Sequence, residues 1–291
     1  MIIYILSRNE QLYSTSRLFE EGKKAGHEIR VINHLHCDLL IENNEFIVIY
    51  NGSVLKKPDF LIPRIGANVT VYGEKVIRHF EKMGVQTLTS SIGLLLSRDK
   101  FKCMQYLVEK GIPVPTTYFS ADLHDAESIV EEKLGYPFIL KLTEGTQGIG
   151  VFLVADESSA EQYFNTYSGS KTRIILQKFV SESFGRDIRI IVLGEKVIAA
   201  MERVASKNEF RSNIHRGGMG KEVVLTKEEE ALALQAIKGL GLKIAGVDII
   251  RSSKGPLLLE VNSSPGIEGI EKCTKINVAK AVIDFIENGD K

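Results

Sequence analysis

Three side chains that carry oxygen ligands lie in two apolar segments near the end of the chain. Glu260 and Asn262 are two residues apart in a predicted strand, residues 256–262, so they point to the same face. Asp248 lies in the preceding predicted strand, residues 246–251. Carboxylate and amide oxygens suit a hard cation such as Mg²⁺. Two interpretations are open: a metal site formed by these three side chains, or a solvated strand face.

A glycine-rich segment, residues 141–150, joins two predicted strands, residues 138–142 and 151–154. Its backbone N–H groups could close over phosphate groups, although a simple turn would also explain the glycines. Its spacing is neither that of a Walker loop nor that of a dinucleotide-binding loop. Lys141 stands alone in an apolar strand, and an inward-facing lysine needs an anionic partner. Phosphate is a good candidate for that partner.

A second polar segment, residues 210–218, is dense in hydrogen-bond donors and includes Arg211, Ser212, Asn213 and His215. Arginine suits forked recognition of phosphate or carboxylate oxygens. Taken alone, the segment would also be explained as a polar surface loop. Upstream, Asp187 and Arg189 share one strand face, where a cross-strand ion pair is an alternative to a functional role.

The first third of the chain alternates strands with helices, which favours a parallel α/β unit. Strands are predicted at residues 2–6, 28–33 and 60–63. The polar stretches between them can form helices. Residues 72–84 place apolar side chains on one helical stripe and end at a glycine, which is typical of a helix C-terminus.

The remainder reads as α+β with hairpins. Its predicted helices are residues 99–110, with Phe101, Met104, Leu107 and Val108 facing inward, residues 226–240, opened by a Thr-x-x-Glu capping box, and residues 277–287. Residues 173–180 read as a strand, and residues 187–193 and 196–203 as a hairpin. Leu257, Leu259 and Val261 are expected in the core.

The composition limits the classes of function that the protein can have. The 291 residues include 37 Lys and Arg and 37 Asp and Glu, so the formal net charge of zero argues against a dedicated nucleic-acid-binding protein. The cysteines Cys37, Cys103 and Cys273 are far apart and read as reduced thiols. No apolar stretch approaches the ~20 residues of a membrane span, and the first residues do not resemble a secretory signal. We expect a cytoplasmic protein.

The order of these features resembles the ATP-grasp superfamily, and within it the RimK family. The order is Asp99-Lys100, Lys141 before the glycine loop, Asp187, Arg211-Ser-Asn, and Asp248 followed by Glu260-x-Asn262. Residues 63–66 (Pro-Arg-Ile-Gly) and 210–218 are more particular to RimK-like proteins. The resemblance implies a three-domain ATP-grasp fold. Its domains would be a Rossmann-like pre-ATP-grasp domain at residues 1–97, a central subdomain with the glycine loop at 98–176, and a C-terminal subdomain with the metal site at 177–291.

The resemblance also implies roles for individual residues. ATP would bind between two antiparallel sheets, with Lys100 and Lys141 on its phosphates and Asp187 near the nucleotide. Arg211, Ser212 and Asn213 would lie near the γ-phosphate, and Asp248, Glu260 and Asn262 would hold two Mg²⁺ ions, with Mn²⁺ as an alternative. Lys178 and Phe179 would lie along the adenine. The family usually has glutamate at the position of Lys178, and a lysine cannot accept a hydrogen bond from the adenine amino group.

The implied activity is an ATP-dependent ligase that joins a carboxylate to an amine through an acyl-phosphate. The implied substrates are L-glutamate and the C-terminal carboxylate of the sixth small-subunit ribosomal protein. We expect Arg189, Arg203 or Arg211 to stabilise the tetrahedral oxyanion. A related ligase acting on a pterin, deazaflavin or aminoadipate acceptor, and a nucleotide sensor without turnover, are the alternatives. We expect no direct nucleic-acid or membrane partner, and a homo-oligomer is left open.

Overall fold

The computed structural model describes residues 1–143, 150–170, 172–207, 209–212 and 217–289. Within these ranges the chain forms a parallel sheet, a small antiparallel meander and two larger antiparallel sheets. The mixture of parallel α/β and antiparallel α+β parts confirms the predicted fold class.

The N-terminal sheet has the strand order β2-β1-β6-β7, and all its pairings are parallel. The elements of this part are β1 (Ile2–Leu6), α1 (Tyr13–Lys24), β2 (Glu28–Ile32), β3 (Cys37–Glu42), β4 (Glu45–Tyr50), β5 (Ser53–Val54), β6 (Phe60–Pro63), α2 (Thr70–Lys82), β7 (Gln86–Thr87) and α3 (Ser91–Arg98). The predicted strands at its start and the helix that ends before Gly84 are confirmed.

The stretch between β2 and β6 differs from the expectation of helix, because β3, β4 and β5 form an antiparallel meander there. The turn between β3 and β4 is made by Asn43 and Asn44, whose φ angles are 50° and 65°. Asparagine tolerates these left-handed conformations, and two such residues form the tight turn that suits a hairpin. The strand after the turn is rich in β-branched and aromatic residues.

The central sheet has the strand order β10-β9-β11-β8 and is antiparallel. Its part of the chain contains α4 (Lys100–Glu109), β8 (Thr117–Ser120), α5 (Ala126–Ile129), β9 (Phe138–Leu142), β10 (Val151–Val154), α6 (Glu157–Tyr167) and β11 (Ile174–Lys178). In α4 the expectation for Val108 was wrong: it is 51% exposed, and Cys103, one turn before Leu107, faces the core in its place.

The C-terminal sheet has the strand order β14-β13-β12-β15-β16. Its part contains β12 (Arg186–Leu193), β13 (Lys196–Val204), β14 (Met219–Glu222), α7 (Lys227–Gly239), β15 (Ile244–Ser252), β16 (Gly255–Asn262), α8 (Glu268–Thr274) and α9 (Val278–Asn288). The predicted hairpin is confirmed as β12 and β13. The capping box is also confirmed, since Thr226 and Glu229 exchange side-chain and backbone hydrogen bonds.

A β-bulge in β16 corrects the core assignment of its leucines. Asp248 pairs with Glu260, but the next residue of β15 pairs with Leu258, so Leu259 is left without a partner. The extra residue shifts the alternation of side chains. Leu258 and Val261 are therefore buried, whereas Leu257 and Leu259 are only half-buried.

The apolar cores show which parts of the molecule pack against each other. One apolar cluster joins the N-terminal sheet, through residues such as Ile5 and Ile62, to the C-terminal sheet and α9, through Ile191 and Ile283. The central sheet has a separate core around Phe138. The predicted limit between residues 176 and 177 falls inside β11, which pairs within the central sheet through Lys178.

The cysteines are free thiols: Cys37 and Cys103 are buried and Cys273 is half-buried. Burial raises the pKa of Cys37 and of Cys103 to about 12, so both stay protonated near neutral pH. Among the described residues, no helix has the length and apolar character needed to cross a membrane.

Candidate functional site

A row of charged side chains crosses one face of the C-terminal sheet. Asp187 on β12 pairs with Arg203 on β13, and Arg189, two residues further along β12, pairs with Asp248 on β15. Asp248 in turn pairs with Glu260 on β16. The neighbouring residues on the opposite face belong to the core under α7. The strand alternation thus collects the charges on the face directed away from that helix.

Two arginines and two aspartates of this row form a continuous ion network. Arg203 donates Nε and Nη2 to Asp187 at 2.6 and 2.7 Å, and Arg189 donates Nε and Nη2 to Asp248 at 2.7 and 2.6 Å. Arg203 Nη2 also reaches Asp248 Oδ2 at 2.8 Å. Fork-to-fork contacts of this kind fix both the position and the plane of the carboxylates. The alternative of a cross-strand ion pair therefore describes Asp187 and Arg189 as they stand.

The network decides the charge of its buried members. Burial alone would raise the pKa of Asp248, but Arg189 and Arg203 outweigh it and hold the pKa below the ordinary value. Burial would lower the pKa of Arg203, and the opposing effect of Asp248 and Asp187 raises it instead. Both residues are therefore charged at neutral pH, and each depends on its partners to stay so.

Glu260 and Asn262 stand at the edge of the same face. The Glu260 side chain is exposed, and Asn262 is half-buried with Oδ1 accepting the backbone N–H of Ser264 at 3.1 Å. The register of β15 and β16 places Asp248 directly beside Glu260. The three side chains assigned to the metal are thus neighbours on one sheet face.

The oxygen atoms that remain available fit a hard cation. Asp248 Oδ1 accepts one N–H, from Arg189, and keeps a lone pair, whereas Oδ2 accepts two. Among the described residues, no group of three or more His, Cys, Asp and Glu side chains could hold a metal ion. The ligand set expected from the sequence instead combines two carboxylates with the amide oxygen of Asn262. An all-oxygen set of this kind suits Mg²⁺.

Lys141 lies on β9 and directs its ammonium group toward β11. Its Nζ donates to Oε1 of Gln177 at 2.6 Å. Burial lowers the pKa of Lys141 to about 8; the Glu260 carboxylate opposes this change and Lys100 adds to it. The two lysines and Glu260 are thus close enough to influence one another electrostatically. Lys100, the first residue of α4, donates Nζ to the carbonyl oxygen of Thr143 at 3.2 Å.

The donor-rich segment is described in part. Arg211 donates Nε and Nη2 to Glu209 at 2.9 and 2.8 Å, and Nη1 to the carbonyl oxygen of Val151 on β10 at 3.4 Å. The Ser212 side chain is buried. Arg211 thus joins this segment to the strand that follows the glycine loop. The predictions for Asn213, His215 and loop residues 144–149 concern residues outside the described ranges.

The segment expected to hold adenine, residues 177–180, includes the end of β11, and its side chains differ in exposure. Lys178 is exposed, its backbone N–H bonds the carbonyl oxygen of Thr116, and it pairs with Phe138. Phe179 is half-buried and packs edge-to-face on Phe184 with ring centroids 6.0 Å apart. The Lys178 side chain points to solvent, so a base along this strand would meet backbone groups rather than its ammonium group.

Gln177 was not singled out from the sequence as a site residue. It is 1% exposed and donates Nε2 to Thr117 Oγ1 at 2.9 Å while accepting from Lys141. A glutamine among apolar strand residues could have been identified from the sequence as a buried polar group that needs a hydrogen-bond partner. Its partner on another strand could not be read from the sequence.

The comparisons with known proteins agree with this geometry. A model of the RimK-like ATP-grasp domain matches residues 97–286, and a model of the RimK pre-ATP-grasp domain matches residues 1–94. The chain belongs to the RimK family of ATP-grasp proteins. The three-domain ATP-grasp fold that the sequence implied is therefore shown, and with it the activity of an ATP-dependent ligase.

RimK-family relatives from several bacteria align along the whole chain. A protein of Vibrio atlanticus named probable alpha-L-glutamate ligase is 48% identical over 100% of this chain and 97% of its own. A protein of the same name from Shewanella loihica is 47% identical over the same shares.

Solved structures of other ATP-grasp proteins share the fold at low identity. The ligase PsnB, solved with a minimal precursor, has a TM-score of 0.78 at 18% identity and covers 98% of each chain. D-alanine–D-alanine ligase from Bacillus anthracis, solved with ATP, has a TM-score of 0.72 at 19% identity, covering 99% of this chain and 96% of that one. The shared fold places the two antiparallel sheets described above in the arrangement of ATP-grasp enzymes.

Proposed function

We propose that this protein attaches L-glutamate to a C-terminal carboxylate, and that its acceptor is the sixth small-subunit ribosomal protein. The observation that carries the glutamate assignment is the identity of 48% over the full chain with a protein named probable alpha-L-glutamate ligase. The acceptor rests on the RimK-like runs at residues 63–66 and 210–218. PsnB, of the same fold, was solved with a precursor peptide, which supports a polypeptide acceptor.

The site residues take the following roles in this proposal. Lys100 and Lys141 bind the phosphates of ATP, and Lys141 is suited to this because its described partner is a neutral amide rather than a carboxylate. Asp248, Glu260 and Asn262 hold Mg²⁺, as two ions, with Mn²⁺ as an alternative metal. Bound there, the metal would neutralise the negative charge of the phosphates.

The remaining assignments surround the nucleotide. Backbone groups at Lys178 and the ring of Phe179 lie along the base. We assign Asp187 to the nucleotide, and Arg211, Ser212 and Asn213 to the γ-phosphate.

The reaction proceeds in two displacements. An oxygen of the acceptor carboxylate attacks the γ-phosphorus, the bond to the bridging oxygen breaks, and ADP leaves with that electron pair. The amine of glutamate then attacks the carbonyl carbon of the acyl-phosphate, phosphate leaves, and the nitrogen loses a proton. An arginine beside the carbonyl oxygen stabilises the negative charge of the tetrahedral intermediate.

Among the three arginines considered for that oxyanion, Arg189 is the best placed. It uses Nε and Nη2 on Asp248, so its Nη1 group has no described acceptor, and its side chain is 15% exposed. Arg203 is only 5% exposed and bonds both aspartates of the network. Arg211 is held by Glu209 at the start of its segment. We assign Arg203 and Arg211 to positioning the carboxylates and the donor segment.

Mass spectrometry tests the proposal. The purified protein is incubated with ATP, Mg²⁺ and L-glutamate, with and without the ribosomal acceptor, and masses are read together with ADP release. We expect additions of whole glutamate residues to the acceptor. Glutamate oligomers made without acceptor would show a ligase with a looser acceptor choice, and ADP release without either product would point to a different acceptor. We expect these reactions in the cytoplasm, without a nucleic-acid or membrane partner.

A further inference from the structure

Two arginines near the proposed metal ligands have no carboxylate partner among the described residues. Arg64 directly follows β6; its backbone N–H bonds Leu6, and its half-buried guanidinium has no described hydrogen-bond or ion-pair partner. Arg98 ends α3 and donates Nη2 to the carbonyl oxygen of Ile65, while its Nε is buried without a described acceptor. By contrast, Arg189 and Arg203, the arginines of comparable burial in the described C-terminal sheet, are each paired with an aspartate.

Arg98 is fixed to the backbone directly beside Arg64, because its Nη2 donates to the carbonyl oxygen of Ile65. Burial, and after it the charge of Arg98, lowers the pKa of Arg64 to about 10. Burial also lowers the pKa of Arg98, against the opposing effect of Glu260. Both arginines remain charged at neutral pH, so two positive charges stand together at half-buried positions. Such an arrangement is unfavourable until an anion joins it.

Hydrogen bonds place this pair beside the segment that carries the proposed metal ligands. Ser264, which bonds Asn262 Oδ1 through its N–H, also contacts the carbonyl oxygen of Pro63 through Oγ at 3.5 Å. On the other side, Arg98 is followed by Asp99, the N-cap of α4, and by Lys100. The carboxyl ends of parallel strands are where ligands bind in open α/β sheets, and Arg64 stands at one such end.

We propose that Arg64 and Arg98 form the subsite that binds a free carboxylate of the donor amino acid. This inference rests on the proposed glutamate ligase function. Glutamate keeps both of its carboxylates ionised throughout the reaction, whereas the acceptor carboxylate is converted to an acyl-phosphate. A permanent pair of cations matches the substrate whose negative charge persists. Arg64 supplies the forked guanidinium, and Arg98, fixed by Ile65, supplies the second charge.

The test compares steady-state kinetics of Arg64→Gln with the wild-type enzyme. We expect the KM for L-glutamate to rise tenfold or more and the KM for ATP to stay unchanged. The melting temperature should stay unchanged or rise. Arg64→Lys keeps the charge without the fork and should lie between the two. The control is Arg78→Gln, which removes an exposed arginine from α2 of the same domain.

The outcomes separate the two proposals. If the wild-type enzyme releases no ADP in the presence of glutamate and acceptor, the proposed function fails whatever the variants do. If the wild-type enzyme uses glutamate and Arg64→Gln keeps its KM for glutamate, only the subsite is overturned. A rise in the KM for the acceptor alone, or a fall in melting temperature with equal losses for every substrate, would likewise overturn it.

Discussion

The ammonium group of Lys141 is held 2.6 Å from the side-chain oxygen of Gln177. This contact joins β9 to β11 and gives a half-buried lysine a neutral partner. A neutral amide positions the ammonium group but does not neutralise its charge. The charge is therefore available to an anion that enters between the two antiparallel sheets, which is where the proposed function places the phosphates of ATP.

Lys141→Ala should weaken ATP binding. Hydrogen bonds to charged groups contribute roughly 1.5–3 kcal/mol, so we expect the Kd for ATP to rise about tenfold to a hundredfold. Calorimetric titration with a non-hydrolysable ATP analogue measures it. Lys196→Ala, at the exposed tip of the β12–β13 hairpin, is the control and should bind normally. Unchanged affinity in the Lys141 variant would contradict the phosphate role.

The pH dependence of nucleotide binding should report the same lysine. Burial, Glu260 and Lys100 together place the pKa of Lys141 at about 8, and only its protonated form attracts phosphate. Without divalent metal, the Kd for ATP should therefore rise as the pH increases from 7 to 9, approaching about tenfold per unit above pH 8. Lys141→Arg keeps its charge over this range and should show a flat profile. A wild-type profile equally flat would refute this reading.

Glu260→Ala should abolish turnover without harming the fold. The side chain is exposed and lies at the end of β16, so few contacts are lost on truncation. We expect ADP release to fall by at least about a hundredfold, since metal-assisted charge neutralisation contributes several kcal/mol. Glu195→Ala, an exposed acid at a hairpin tip, is the matched control. A folded Glu260 variant that releases ADP at a near-normal rate would remove the metal assignment.

The local elements of the site were predictable because they follow from strand alternation. Apolar residues around Asp248 and Glu260 define two strands with a short turn, and the register pairs these two acids across the strands. The predicted hairpin before them is confirmed for the same reason. The bulge at Leu259 was not predictable, because it depends on how the sheet bends rather than on the pattern along β16.

Contacts between distant parts of the chain could not be predicted from the sequence. The pairing of Lys141 with Gln177 requires β9 and β11 to be neighbours, and nothing in either strand specifies that order. The same holds for Arg64, whose position beside Arg98 depends on α3 returning to the end of β6. The β3–β5 meander was missed for a local reason, since its Asn-Asn turn and β-branched strand were present in the sequence.

Arg203 and Arg186 offer a direct comparison of buried and exposed ion pairs in one sheet. Arg203 is 5% exposed and bonds Asp187 and Asp248, so Arg203→Met leaves buried carboxylates with fewer partners. We expect the free energy of unfolding to fall by about 3–5 kcal/mol.

Arg186 is 56% exposed and lies 3.6 Å from Glu202, so Arg186→Met should cost no more than about 1 kcal/mol. Urea denaturation of both variants measures the difference. Equal losses would mean that the network on this sheet face contributes no more than a surface pair. A large loss of unfolding free energy in Arg203→Met alone would show that the buried charge network at the proposed site is required for a stable fold.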